Sequence, residues 1–441
     1  MRCLGLDIGS TTIKGGVLDL DEGQITATVS RPFPAPVSGL PAGWVEIAPS
    51  AIVDQVEQVL GQLLETAGDA TDLYCCGQMG GVILVGESGE PLTNYLSWRD
   101  QRTLQPSQSE SYLSAVRSRW PDDVLESLGK ELQPGSATSL LFWLAEQNSL
   151  GTGAVPASVT DFVISRLCRV SPHMHVTQAI GLLDLRTSDW HREAFERLGL
   201  GGLRLPRLSQ RPEAIGCLTR AGRTLRVFGG YGDQQCALYG AGLQRGELSL
   251  NISTGSQVSL RVSGFQPGPY QTRKYFDGDW LNTVTHLPAG RSLNAMVDLL
   301  TELAREDGLA LRDPWQSIIR KAGEISSNDL EVDLAFFAGP LGNSGRMGQI
   351  TTENMTVGHL FHAAFRAMAD NYTRCAGWLD TGRSWRSVVL SGGLTQTVPV
   401  LKSLILQRFD VPIRESLGEE TLMGLLNLAR AERASAPGVK E

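Results

Sequence analysis

The stretch LGLDIGSTTIKGGVLDL, residues 4–20, decides the fold. Its apolar residues alternate at Leu4, Leu6 and Ile8, and after a turn of glycine and hydroxylated residues a second apolar run begins at Ile13. Period-two alternation on both sides of a short turn predicts a β-hairpin. The hairpin places Asp7 at the end of its first strand, next to the turn.

A second stretch of the same form, LSLNISTGSQVSLRV, occupies residues 248–262. Its apolar residues alternate up to Ile252, the turn is Ser-Thr-Gly-Ser, and the next strand begins near Val258. Two similar hairpins this far apart indicate two similar domains, each presenting a turn of small hydroxylated residues. We therefore predict a domain boundary near residue 246, between an N-terminal domain of residues 1–246 and a C-terminal domain of residues 247–441.

The segments after the first hairpin mix helices and strands. Apolar residues recur at three- and four-residue steps through residues 51–66, which predicts an amphipathic helix capped by Ser50 and stopped at Gly68. Strand-like runs follow at Leu73–Cys76 and Gly81–Val85. This alternation predicts a layered α/β fold.

The end of the chain predicts a strand, turn, helix and strand in that order. A buried strand, SVVLSGGL at residues 387–394, leads into the turn at Gly392 and Gly393, and a helix with one apolar face follows. A further strand at residues 411–413 and a last helix from about Glu419 complete the unit. Such a crossover leaves backbone N–H groups open at the carboxyl edge of the sheet.

Composition excludes several classes of protein. The chain has 441 residues, 41% hydrophobic and 20% charged, which is typical of globular domains and not of disordered chains. The net charge of −8, without a run of Lys or Arg, argues against a nucleic-acid partner. No apolar stretch is long enough to span a membrane, and the seven Cys are scattered without a CxxC pair. We therefore expect a cytoplasmic protein that has no membrane partner, with its Cys residues buried as small apolar groups.

The two hairpin turns are candidate phosphate sites. Around the first turn, Ser10, Thr11 and Thr12 could supply hydroxyl and N–H donors and Lys14 a cation, while Asp7 suits a hydrated Mg²⁺ between carboxylate and phosphate. The second turn offers a matching set of residues. These are Ser253, Thr254 and Gly255. The alternative for either turn is ordinary turn chemistry, in which the side chains bond their own backbone.

A lone carboxylate, Asp233, lies in GGYGDQQCALYGAG, residues 229–242, before a short predicted helix. It could be the N-cap of that helix, the general base of a reaction, or both. A carboxylate at a helix N-terminus is expected to have a low pKa and to be a weak base. Phosphoryl transfer tolerates a weak base, because the attacking hydroxyl must be positioned more than deprotonated.

Two further groups of residues are less specific. One group mixes polar groups with aromatic surface, which suits a polyol but also any packed loop, and consists of Gln78, Met79, Trp98, Asp100 and Arg102. The histidines form two close pairs, at residues 173 and 175 and at residues 359 and 362. Neither pair has a third ligand at metal spacing, so solvated or capping His residues are the better interpretation.

These motifs together resemble the FGGY carbohydrate kinases. The matches follow the family order along most of the chain. They are LDIGSTTIK (6–14), GWVEIAP (43–49), GQMGG (77–81), WRDQR (98–102), GDQQ with GAG (232–242), ISTGS (252–256) and SGG (391–393). The resemblance implies two actin-like, ribonuclease-H-like domains with ATP and sugar in the cleft between them. It also allows a homodimer.

The resemblance further implies a role for each site residue. Asp233 matches the catalytic base, which also meets sugar and metal, and Asp7 matches the magnesium-linked carboxylate. Thr11 and Thr254 match phosphate contacts, and Gly392 with Gly393 the adenosine contact. The sugar-binding loops match a larger set. Its members here are Gln78, Met79, Trp98 and Asp100.

Within the family, LNIST (250–254), SGFQP (263–267), TDFVISRLC (160–168) and SATSLLFWL (136–144) look most like sedoheptulokinases. One departure is Gly80, where several pentulose and heptulose kinases of the family have His. We expect an ATP- and Mg²⁺-dependent kinase acting on a primary hydroxyl of a small ketose, most like sedoheptulose. The alternatives are a kinase for xylulose, ribulose or glycerol, a non-catalytic sugar sensor of the same fold, and an actin-like or chaperone ATPase.

Overall fold

The computed structural model describes residues 1–107, 110–220, 222–309, 311–416 and 418–435. Up to residue 246 its strands are β1 Arg2–Ile8, β2 Thr12–Asp19, β3 Gln24–Pro32, β4 Glu46–Ile47, β5 Asp72–Gly77, β6 Ile83–Val85, β7 Tyr95–Leu96, β8 Pro106–Ser107, β9 Glu110–Ser111, β10 Val155–Ala157, β11 His173–His175, β12 Leu183–Asp184, β13 Asp189–Trp190, β14 Arg207–Ser209, β15 Ala214–Arg220 and β16 Arg223–Gly232. After it they are β17 Glu247–Ile252, β18 Ser256–Val262, β19 Gln271–Lys274, β20 Trp280–Leu287, β21 Glu331–Asp333, β22 Arg346–Gly348, β23 Ser387–Ser391 and β24 Ile413–Glu415.

The helices fall into the same two halves. Those of the N-terminal half are α1 Pro49–Thr66, α2 Tyr112–Arg119, α3 Asp122–Ser127, α4 Ala137–Glu146, α5 Val159–Cys168, α6 Arg192–Arg197 and α7 Asp233–Gly240. Those of the C-terminal half are α8 Gly290–Glu306, α9 Pro314–Gly323, α10 Val357–Leu379, α11 Gly393–Thr397, α12 Pro399–Arg408 and α13 Glu420–Ser435. Single 3₁₀ turns lie at Arg102–Leu104 and Phe276–Gly278. In the described ranges, no helix combines the length and the apolar character that crossing a bilayer demands.

Each half contains a six-stranded mixed sheet. The N-terminal sheet has the order β15-β16-β5-β1-β2-β3, and the C-terminal sheet the order β19-β20-β18-β17-β23-β24. Both predicted hairpins are confirmed, since β1 pairs with β2 and β17 with β18 in antiparallel register. The predicted α/β fold class is therefore confirmed.

Parallel pairing aligns the ends of three strands in the N-terminal sheet. Ile8 of β1 and Gly232 of β16 both lie in register with Gly77 of β5. The residues that follow these strands therefore emerge at one edge of the sheet. In the C-terminal sheet, β17 and β23 run parallel, with Asn251 opposite Ser391, so the second hairpin turn and Gly392 share an edge as well.

The two halves are linked by the last helix. Helix α13 packs against α7 and against the N-terminal sheet, where Leu422, Leu425 and Leu426 join a core cluster with Cys3 and Leu18. The crossing is close. A Cβ atom added at Gly424 would lie 2.0 Å from the carbonyl oxygen of Cys236, so the interface needs glycine there. The C-terminal end of the chain thus completes the core of the N-terminal half.

Local details differ from the sequence predictions. Helix α1 begins at Pro49 with Ala48 as N-cap and no side-chain capping bond, so Ser50 is not the cap. Pro49 occupies the first turn because it needs no N–H donor there. Strand β6 is shorter than predicted and pairs with β10 outside the main sheet. Among the cysteines, Cys217 is exposed and not a buried apolar group.

Candidate active site

One cavity of about 510 Å³ lies where the edges of the two sheets face each other. The N-terminal half contributes Asp7, Ser10, Gln78, Met79, Gly80, Trp98, Glu131, Gln133, Gly135, Ser136, Ile180, Asp233, Gln234 and Ala237. The C-terminal half contributes Asn251, Ser253, Gly255, Ser256, Gln257, Arg273, Thr285, His286 and Thr421. The structure therefore brings residues of both hairpins and Asp233 into one space.

The first hairpin turn presents Ser10 to this cavity. The Gly9 N–H donates to the carbonyl of Thr12 over 3.0 Å, and a Cβ atom at Gly9 would meet that oxygen at 2.9 Å, so the turn is tight. Thr11 is exposed, and neither it nor Thr12 lines the cavity. Lys14 points elsewhere as well, because its Nζ forms an ion pair with Glu419 at 2.9 Å.

Asp7 ends β1 beside the turn. Its Oδ2 accepts a 2.8 Å hydrogen bond from the Thr421 hydroxyl, while its Oδ1 is buried without a hydrogen-bond partner among the described residues. Burial raises the pKa of Asp7 to about 6, although Thr421 and Lys14 act in the opposite direction. Thr421, at the start of α13, has no local sequence signal that could have identified it.

Asp233 is the first residue of α7, and Gly232 is the N-cap. Its Oδ1 accepts a 2.7 Å hydrogen bond from the N–H of Gln234. The pKa of Asp233 is not low as expected, because burial, and next the negative charge of Asp7, raise it to about 7. The helix N-terminus alone would lower this pKa, and desolvation outweighs that effect here.

The two carboxylates fit a divalent cation. Both are half-buried at the cavity, the charge of Asp7 raises the pKa of Asp233, and Oδ1 of Asp7 has no hydrogen-bond partner among the described residues. No cluster of three potential ligands among His, Cys, Asp and Glu occurs in the described part of the chain. Mg²⁺ accepts such a site, since it is bound through one or two carboxylates while it keeps several waters.

A buried polar network fixes the turn before Asp233. The Thr177 hydroxyl accepts a 3.0 Å hydrogen bond from the Gly232 N–H and lies 2.8 Å from Nδ1 of His175. The Gln178 amide donates 3.0 Å bonds to the carbonyls of Gly77 and Tyr231, which joins the ends of β5 and β16. His175 is thus a buried member of this network and not the solvated or capping residue expected.

Three of the four expected sugar-loop residues, Gln78, Met79 and Trp98, line the cavity. Asp100 does not. Its carboxylate is fully buried, accepts from Arg102 at 2.8 Å and from the Val45 N–H at 2.6 Å, and supports the loop from behind. The expectation of a direct sugar contact for Asp100 is not supported, because an ion pair already occupies its oxygens.

The second hairpin and the Gly-Gly turn lie together at the edge of the C-terminal sheet. Ser253 and Gly255 line the cavity, whereas Thr254 is exposed outside it. Gly392 has φ of +91°, and a Cβ atom there would meet the carbonyl oxygen of Ile252 at 2.3 Å. Glycine is therefore required where β23 passes β17, and Gly393 begins α11 beside this turn. Neither Gly392 nor Gly393 lines the cavity.

The sequence did not predict the part of the cavity wall that contains Glu131, Gln234 and Arg273. Arg273 of β19 is buried and forms an ion pair with the buried Glu131 of the N-terminal half. Its guanidinium also donates to the side-chain oxygen of Gln234. Gln234 belongs to the GDQQ motif, but Glu131 and Arg273 are far apart in sequence and lie in none of the motifs named above.

Comparison with known proteins identifies the family. The model of the FGGY family of carbohydrate kinases, N-terminal domain, matches residues 2–240. The sedoheptulokinase of Mus musculus is 22% identical over 93% of this chain and 93% of its own length. The glycerol kinase of Solidesulfovibrio magneticus is 25% identical over 97% of this chain and 88% of its own.

Solved structures share the fold. A gluconate kinase from Lactobacillus acidophilus superposes with a TM-score of 0.84 at 18% identity, covering 99% of this chain and 91% of that one. A glycerol kinase from Plasmodium falciparum, solved with ADP, gives 0.83 at 17% identity, covering 99% and 90%. Because the family model spans more than half of the sequence and the fold agrees over its whole length, this chain belongs to the FGGY family of carbohydrate kinases.

Proposed function

We propose that this ATP-dependent sugar kinase transfers the γ-phosphoryl group to a primary hydroxyl of a small ketose, with sedoheptulose as the favoured acceptor. The observation that carries the proposal is the shared cavity. It places Asp233 within one space with Ser10 of the first hairpin, Ser253 of the second and the sugar-loop residues Gln78 and Trp98. An acceptor hydroxyl and a phosphate chain can therefore meet beside one carboxylate.

Asp233 is the proposed base. Burial, and next the charge of Asp7, raise its pKa above that of an ordinary Asp, and it lines the cavity that would receive the acceptor hydroxyl. The acceptor oxygen forms a bond to the γ-phosphorus as the bond from that phosphorus to the β,γ-bridging oxygen breaks. The hydroxyl proton passes to the Asp233 carboxylate, and ADP carries away the bonding electrons. Positioning of the acceptor hydroxyl matters more than removal of its proton, because the transition state of phosphoryl transfer is loose.

Asp7 and Asp233 are the residues that would hold Mg²⁺. When bound, the cation neutralises charge on the phosphate oxygens. Thr421 keeps Asp7 oriented through its 2.8 Å hydrogen bond and leaves Oδ1 available.

The phosphate and nucleotide contacts are proposed from both hairpins. Ser10, Ser253 and Gly255 line the cavity and are the direct candidates. The remaining proposed nucleotide contacts lie outside it. They are Thr11, Thr12, Lys14, Thr254, Gly392 and Gly393. Lys14 would have to leave Glu419 to reach a phosphate, which makes it the weakest member of the set.

The choice of sedoheptulose rests on the local similarity to sedoheptulokinases and on Gly80. Gly80 lines the cavity, has φ of +76° and would bring a Cβ atom to 3.2 Å from Cβ of Trp98. The position therefore favours glycine, and residue 80 itself adds no side chain to the cavity, which leaves space for a longer acceptor. Glycerol is the second candidate acceptor, because glycerol kinases are similar to this chain at 25% identity.

The test is ADP release measured with a panel of sedoheptulose, xylulose, ribulose, glycerol and gluconate. The expected result is the highest kcat/KM for sedoheptulose. A higher value for glycerol or a pentulose would overturn the substrate and leave the kinase assignment standing. If no sugar stimulated ADP release, a sugar sensor would become the better interpretation.

The division into domains of residues 1–246 and 247–441, the homodimer and the cytoplasmic location stay predictions of the sequence. The division is supported by the gap between the end of α7 at Gly240 and the start of β17 at Glu247, which separates the two sheets. Helix α13 crosses this division by packing on the N-terminal sheet.

A further inference from the structure

One part of the cavity wall, built from both halves, carries polar groups for which the proposed reaction has no assigned role. We use the name far wall for Glu131, Arg273 and His286, which all line the cavity. Glu131 belongs to the N-terminal half, and the other two to strands β19 and β20. An acceptor held at Asp233 therefore meets side chains from both halves.

Arg273 is held rigidly. Its side chain is only 7% exposed, its Nε donates to Glu131 and its Nη1 to Gln234. The Gln234 amide is fixed in turn by donation to Gln257 Oε1 at 3.0 Å and to Ser259 Oγ at 3.2 Å. Within the described ranges of the chain, the hydrogen bonds of the Arg273 guanidinium come from Nε and Nη1, and Nη2 has no partner. A guanidinium fixed on one side with a donor left over is suited to bind an oxygen of a ligand.

Glu131 balances the charge of this arginine. Its carboxylate is 4% exposed, pairs with Arg273 and accepts a 3.0 Å hydrogen bond from Nε2 of Gln271. The pair is therefore neutral as a unit. A carboxylate on the acceptor would have to approach Glu131 with no surplus positive charge to offset the repulsion.

His286 adds a second donor or acceptor. It has φ of +60°, at an irregularity where the register of β18 and β20 shifts, and it lines the cavity 6.5 Å from the Trp98 ring. Nδ1 lies 2.8 Å from the Thr285 hydroxyl. Desolvation, and next the charge of Arg273, lower the pKa of His286, which favours the neutral ring. A left-handed backbone is costly for a His and is often retained at binding sites.

We propose that Arg273 and His286 are specificity-determining residues that hydrogen-bond the hydroxyl groups of the acceptor, and that Glu131 makes the far wall select a neutral polyhydroxylated acceptor over a sugar acid. This inference rests on the proposed function and names the class of its substrate. Hydroxyl groups suit the wall because they can both accept from Arg273 and donate to Glu131.

The main test compares gluconate with the best neutral sugar of the panel by kcat/KM. The wild-type protein should favour the neutral sugar. In Glu131→Gln the positive charge of Arg273 is no longer balanced, so we expect the ratio of gluconate to neutral sugar to rise about tenfold or more. Asp279→Asn is the matched control, because Asp279 is an equally buried carboxylate paired with Arg261 outside the cavity. It should leave the ratio unchanged.

A second variant covers the case in which Glu131→Gln does not fold. His286→Asn keeps a residue that tolerates φ near +60° and removes the imidazole. We expect it to raise KM for the acceptor about tenfold with KM for ATP unchanged.

The outcomes separate the two proposals. An unchanged ratio in Glu131→Gln, an unchanged acceptor KM in His286→Asn, or a wild-type preference for gluconate would overturn the role of the far wall while the kinase assignment stands. A wild-type protein inactive on every sugar would overturn both.

Discussion

At the scale of single residues, Asp233 shows why a local sequence pattern misjudges a titrating group. Its place at the start of α7 correctly suggests a helix N-terminus, but the pKa depends on burial and on Asp7, which is 226 positions earlier in the chain. Only the parallel pairing of β1, β5 and β16 brings the two carboxylates to one edge. The sequence identifies Asp233 as a candidate base, but it does not indicate that the pKa of Asp233 is raised.

Thr177 provides the first prediction at this scale, as a positioning residue that acts through Gly232. Thr177→Val removes the acceptor of the 3.0 Å bond from the Gly232 N–H, so the turn that carries Asp233 is no longer fixed. We expect kcat to fall about 10- to 100-fold, since small displacements of a reacting group are costly, while KM for ATP stays near the wild-type value. Steady-state kinetics with both substrates varied measure this.

Thr177→Ser is the control, because it keeps the hydroxyl, and it should recover most of the lost turnover. If the Val variant lost thermal stability but kept its kcat, Thr177 would have only a structural role.

At the scale of elements, the sequence predicts what is local and misses what is assembled from distant parts. The hairpins at residues 4–20 and 248–262 are predicted well, because the alternation of apolar and polar residues and the turn residues can be recognised in neighbouring positions. Thr421 beside Asp7, and Arg273 beside Glu131, are missed because no spacing rule links them. Asp100 lies outside the cavity because Arg102, two residues later, pairs with its carboxylate, and the sequence pattern did not indicate that pairing.

The crossing of α7 and α13 gives a prediction at this scale. Gly424→Ala would place a methyl group 2.0 Å from the backbone oxygen of Cys236, so the helices must separate. We expect a loss of about 1–3 kcal/mol in the free energy of unfolding from overpacking, despite the better helix propensity of Ala. Urea unfolding followed by circular dichroism measures it.

The matched control is Gly377→Ala in α10, where an added Cβ atom would have no neighbour within 4 Å. It should be neutral or stabilising by up to about 1 kcal/mol. Equal effects of the two substitutions would contradict the close contact of α7 and α13.

At the scale of the whole molecule, the cavity is made by facing edges of two sheets, so ligand binding and the relative position of the halves are coupled. We predict that sugar and a non-hydrolysable ATP analogue together compact the protein, since each is proposed to contact both halves. Small-angle scattering should show a smaller radius of gyration with both ligands than with either alone. An unchanged radius with both ligands bound would indicate a rigid cleft.

The central claim is that Asp233 takes the proton from the acceptor hydroxyl in a cavity that both halves build, and the product of the Asp233→Asn variant tests it most directly. The amide resembles the carboxylate in size and can still accept from the Gln234 N–H, but it cannot take up the proton. Phosphorus-31 NMR of protein, ATP, Mg²⁺ and sugar should show a phosphate ester on a primary carbon for the wild-type protein. For Asp233→Asn we expect turnover at least about 1,000-fold lower, with binding of ATP in the absence of Mg²⁺, measured by calorimetry, nearly unchanged. Sugar phosphate formed by the variant at close to the wild-type rate would contradict the account and leave Asp233 with a purely structural role.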